Sequence, residues 1–74
     1  MAEGRIESYD EEKENGYIQP DGGGDHIPFE LEDVVDHHEG ETIEEGDQVT
    51  YKVEGFMTGE EAKDIRRIAK RGYG

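Results

Sequence analysis

The sequence predicts a small all-β protein, a barrel of five short antiparallel strands, and three observations carry that expectation. Apolar and β-favouring residues fall in five short segments separated by acidic, glycine and proline turn signals. The 74 residues are enough for one domain with one modest core. Val49, Tyr51 and Val53 alternate with Thr50, Lys52 and Glu54, the period-two pattern of a strand with one buried and one wet face.

The first strand is expected over residues 4–9, anchored by Ile6 and Tyr9, and ends at the acidic turn 10–14. The second, residues 15–20, carries Tyr17 and Ile18 and runs into Gly22-Gly23-Gly24. Consecutive glycines accept positive φ and allow a tight reversal. Residues 26–31 form the third strand, where Pro28 lacks a ladder donor and therefore points to a sheet edge or a bulge. Residues 32–46 read as a long polar connection, closed by Gly46-Asp47 ahead of the fourth strand over 48–54.

The C-terminal segment admits two readings. Thr58-Gly59-Glu60-Glu61 has the spacing of a helix capping box, and Ala62, Ile65, Ile68 and Ala69 would share one helical side. A fifth strand over 62–66 followed by a tail competes with it, because a four-stranded sheet would leave open edges.

Composition narrows the function. Twenty-one acidic residues against eight Lys and Arg give a formal charge of −13. The carboxylates run from Glu3 to Asp64, as a solvated surface around a small core would have them. Such a surface repels itself, and salt relieves it, so folding that strengthens with salt and a salt-adapted, halophilic setting are expected. Five of the eight basic residues, Lys63, Arg66, Arg67, Lys70 and Arg71, gather at the C-terminal end. The chain has no cysteine, which excludes disulfides, thiolate metal sites and thiol nucleophiles. It has no apolar run that could span a membrane and no signal-peptide layout, so a soluble cytoplasmic protein is expected. Catalysis has little to stand on: Ser8 is the one serine, and no acid-base pair stands out among so many carboxylates. His37-His38 lacks the i, i+4 spacing that aims two imidazoles at one ion, so neither a metal nor a cofactor is expected.

Five pieces of the chain, in order, resemble the cold-shock domain family over roughly residues 3–66. Glu3-Gly4-Arg5-Ile6-Glu7-Ser8-Tyr9-Asp10 is similar to the family's opening Lys-Gly-x-Val-Lys-Trp-Phe-Asn. Lys13-Glu14-Asn15-Gly16-Tyr17-Ile18-Gln19-Pro20 is similar to its Lys-Gly-Phe-Gly-Phe-Ile-x-Pro, and Asp21 to Asp25 to its Asp-Gly-Gly-x-Asp turn. Gly46 and Val49 match its Leu-x-x-Gly-x-x-Val, and Gly59, Ala62 and Ile65 its closing Gly-x-x-Ala-x-x-Val. The resemblance implies an oligonucleotide-binding (OB) barrel over residues 1–66, favours a strand at the C-terminus, and leaves a basic tail at 67–74.

It also implies binding of single-stranded RNA or DNA, as a monomeric RNA chaperone or regulator of expression. In that family strand aromatics stack on unpaired bases and lysines meet phosphate, and stacking contributes about 1–3 kcal/mol per base with little sequence preference. Carried over residue by residue, the stacking positions fall on Tyr17, Phe29 and Tyr9 and the phosphate contacts on Lys13, Arg66 and the tail. Asp25 matches the acidic residue before the third-strand motif. The departures are Ser8 for tryptophan, Glu14 for glycine, Asn15 for an aromatic, and His26-Ile27-Pro28-Phe29-Glu30 for Val-Phe-Val-His-Phe. A second class of function is therefore open, an acidic barrel that has lost nucleic acid and docks a basic protein.

Overall fold

The computed structural model describes residues 2–36 and 43–68. Five strands, β1 (Ala2–Asp10), β2 (Asn15–Pro20), β3 (Ile27–Glu30), β4 (Gln48–Phe56) and β5 (Gly59–Arg67), form one sheet in the order β3-β2-β1-β4-β5. Every strand pair is antiparallel. A short 3-10 turn, Leu31–Asp33, follows β3. It brings Val34 into a parallel bridge with Ile65 of β5, and the Val35 N–H donates to the Ile65 carbonyl at 2.9 Å. That contact curls the sheet into a nearly closed barrel.

The acidic turn after β1 is ordered by its own side chain. Asp10 Oδ1 accepts the N–H groups of Glu12 (2.9 Å) and Lys13 (3.2 Å), the local bonding that makes aspartate a turn former. β1 and β2 approach unusually closely at Gly16, where a Cβ would lie 2.1 Å from the Ser8 carbonyl oxygen. Their register slips between Ile6 and Ser8, leaving Glu7 as an extra, bulged residue. Inside lie Ile6, Ile18, Ile27, Phe29, Val34, Ile43, Val49, Tyr51, Ala62 and Ile65. No helix among the described residues is long and apolar enough to cross a membrane.

β3 lies at the sheet edge, as Pro28 requires, and is shorter than expected, with His26 and Leu31 outside it. The Leu31 N–H donates to the Glu14 carbonyl, so by alternation the Pro28 nitrogen faces away from β2, where no donor is needed. The next edge donor, the Glu30 N–H, is taken by Asp33 Oδ2 at 3.1 Å.

The C-terminal segment is a strand, and the helical reading is set aside for a specific reason. Ala62 and Ile65 are both fully buried although three residues apart, a spacing that a regular strand cannot put on one face. Asp64 adopts φ 51° beside a register shift in the β4–β5 ladder, and this bulge turns both side chains inward. Val53 corrects a second expectation. It continues the alternation of Val49 and Tyr51, yet it is exposed, as are its described neighbours from Lys52 to Glu60, because the end of this hairpin stands clear of the core.

The barrel is latched where the 3-10 turn meets β5. Asp33, a buried carboxylate, lies 3.1 Å from Lys63 Nζ, and Lys63 also reaches Glu61 at 3.3 Å. Hydrogen bonding to Asp33, and then to Glu61, raises the Lys63 ammonium above the usual lysine value. One residue turn further, Asp36 accepts the Arg67 N–H at 2.9 Å while the Arg67 guanidinium donates to the Asp36 carbonyl at 3.1 Å. Arg67 thus belongs to β5 rather than to a tail, and His37, His38 and residues 69–74 lie outside the described residues.

Candidate nucleic-acid interface

The outward face of β1, β2 and β3 carries the candidate site. Tyr17 sits at its centre, between Ser8 on β1 and Pro28 on β3, and is 41% exposed. The His26 ring lies over it at 4.1 Å between centroids and a 34° tilt. His26 is itself held from across the sheet, with Nδ1 2.8 Å from Oε1 of the bulged Glu7. Two rings are therefore presented to solvent in a fixed arrangement rather than as free rotors.

Beside Tyr17 a cleft of about 340 Å³ is lined by Ser8, Tyr9, Asp10, Lys13, Asn15 and Tyr17. Tyr9 is half-buried and stacks on Phe29 at 6.1 Å and 18°. Burial, and then the charges of Glu14, Glu11 and Asp10, push its hydroxyl above the usual tyrosine value. Lys13 is exposed and forms no ion pair among the described residues, although glutamates flank it on both sides in sequence. A second, smaller cleft of about 110 Å³ is lined by Asn15, Gly16, Tyr17, Pro28, Phe29, Glu30 and Glu61.

The structure brings three of the six expected site residues, Tyr9, Lys13 and Tyr17, around one cleft. Phe29 is a correction: it is 1% exposed and belongs to the core, so its ring cannot receive a base. The reason is register, since a one-residue shift exchanges the two faces of a strand. Ile27 and Phe29 point inward, which leaves His26 and Pro28 outward. Asp25 lies in the glycine turn, which is pinned by Gln19 Nε2 to the Gly24 carbonyl at 3.1 Å, and it lines a separate groove with His26 and Glu60. Arg66 is exposed on β5 opposite Thr50, away from the Tyr17 cleft. Of its basic neighbours, Lys63 and Arg67 face Asp33 and Asp36 instead of solvent anions.

Sequence reasoning missed His26 and Glu7. His26 could have been found by letting Ile27 and Phe29 fill the core and reading the strand outward from there. Glu7 faces outward through a bulge that no local pattern announces.

Neither a family model nor a curated protein matches the sequence. A solved structure described as the Drosophila Unr CSD456 superposes with a TM-score of 0.77 over 99% of this chain. The chain has the cold-shock domain fold. The two sequences are 19% identical, and this chain spans 29% of the length of that one. The likeness lies in the barrel, because the sheet order, the parallel closure beside β5 and the inward residues are architectural. At that identity the likeness shows the fold and nothing finer. At positions 8, 15 and 26–30 the sequence departs from the family pattern.

Proposed function

We propose that this chain binds single-stranded RNA or DNA across β1, β2 and β3, acting as a monomeric chaperone of RNA structure or regulator of expression in the cytoplasm. The observation that carries the reading is the convergence of Tyr9, Lys13 and Tyr17 on one cleft beside the Tyr17–His26 ring pair. Tyr17 and His26 offer π-faces on which a base can stack whatever its identity, at about 1–3 kcal/mol per base. Lys13, without an ion pair among the described residues, supplies the charge for one phosphate. With so few rings and one lysine, binding is weak.

The test is a titration of fluorescently labelled single-stranded oligonucleotides at low and high salt, with Tyr17→Ala alongside. Saturable binding that loses about 1–3 kcal/mol in Tyr17→Ala supports the reading. Absence of saturable binding at both salts, or binding indifferent to the substitution, overturns it and leaves an acidic barrel suited to a basic protein.

A further inference from the structure

The smaller cleft beside Tyr17 has a chemistry of its own. Its apolar lining is Tyr17, Pro28 and Phe29, and its polar residues are Asn15, Glu30 and Glu61. No lysine or arginine lines it. A phosphate is repelled there, so the part of a nucleotide that fits is an uncharged base seated against that apolar lining. Both carboxylates are held in place. Glu30 and Asp33 cap each other reciprocally, and Glu61 Oε1 lies 3.3 Å from Lys63 Nζ. Ionised carboxylates only accept hydrogen bonds, so this cleft selects bases by the donors they present.

From this we infer that the Glu30–Glu61 cleft reads guanine, an inference that rests on the nucleic-acid reading above. Guanine presents two adjacent donors, N1–H and the exocyclic amino group, which together match the two oxygens of one carboxylate. Uracil and thymine present a single N–H between two carbonyls, and those carbonyls meet the carboxylate with like charge. Adenine and cytosine present an amino group beside a bare ring nitrogen, an intermediate case. A bidentate contact of this kind discriminates between bases by roughly 5- to 150-fold. Glu30 and Glu61 thereby become the residues that set specificity, while Tyr17 sets affinity.

The experiment compares short oligothymidines carrying one central guanosine, inosine, adenosine or thymidine, titrated against the full chain, Glu30→Gln, Glu61→Gln and the double variant. The expected order is guanosine tightest, then inosine, which lacks the exocyclic amino group, with thymidine weakest. The double variant should erase that order, since glutamine both donates and accepts, while leaving affinity for plain oligothymidine equal or higher. Binding that depends on Tyr17 but is equal for all four oligonucleotides, or a guanosine preference that survives in the double variant, overturns this inference and leaves the nucleic-acid reading standing. Failure of every oligonucleotide to bind the unsubstituted chain overturns both.

Discussion

Replacing Gly16 with alanine tests how the site is built, because Gly16 separates Asn15 from Tyr17 at the closest approach of β1 and β2. A Cβ there would lie 2.1 Å from the Ser8 carbonyl oxygen, and 3.0 Å from both Tyr9 Cα and Phe29 Cε1. Ordinary non-bonded contact is roughly 3.5 Å, so relief requires a movement of about 1 Å or more. The nearest atoms are backbone in a hydrogen-bonded ladder, which cannot turn aside as a side-chain end would. Overpacking of this kind costs about 1–3 kcal/mol, and the rigid neighbours place Gly16→Ala at about 3 kcal/mol or above. A domain of this length has a total stability of about 4–11 kcal/mol. In urea, at about 1 kcal/mol per molar, the unfolding midpoint should fall by about 3 M, followed by circular dichroism. Gly22→Ala is the control, since nothing lies within 4 Å of its Cβ and its φ is not positive. An unchanged midpoint for Gly16→Ala, or one equal to that of Gly22→Ala, refutes the reasoning.

Three further outcomes follow from the same geometry. Asp33→Ala removes the acceptor of the Glu30 N–H and the partner of Lys63, and should cost about 1 kcal/mol from the hydrogen bond alone, read as a lower urea midpoint. Burial, then the charge of Asp21, raises the Tyr51 hydroxyl above its usual value. The unfolded chain therefore releases that proton first, and this contribution to stability, constant below pH about 10, is lost as pH rises beyond it, so that the urea midpoint of the unsubstituted chain should fall more steeply above pH about 10 than that of Tyr51→Phe. Finally, one lysine in the binding cleft predicts a salt slope of binding no steeper than about −0.7, while the fold itself gains stability with salt; a steep loss of oligonucleotide affinity between low and moderate salt contradicts that assignment.

Most of the barrel could be read in the sequence because its signals are local. Asp10 announces a turn through its own hydrogen bonds, Pro28 marks an edge through its missing donor, and Val49 with Tyr51 marks an inward face. The fifth strand was ambiguous because the bulge at Asp64 gives Ala62 and Ile65 a helix-like spacing. Closure of the sheet and the fold-level resemblance favoured a strand. In the site, Tyr17 and Lys13 are visible as residues in a turn-strand motif, whereas Phe29 looked like a platform until the register of β3 put it inside. The Glu7–His26 contact joins residues 19 positions apart through a bulge and has no sequence signature.

The latch between the 3-10 turn and β5 also governs when this protein can exist. Asp33 meets Lys63 30 positions later, and Asp36 meets Arg67 31 positions later. During synthesis the first three strands therefore emerge as an open ribbon with Ile18, Phe29 and Val34 uncovered, and they remain so until β5 follows. A chain that stops before Ile65 lacks the partner of Val34 and the strand that closes the barrel.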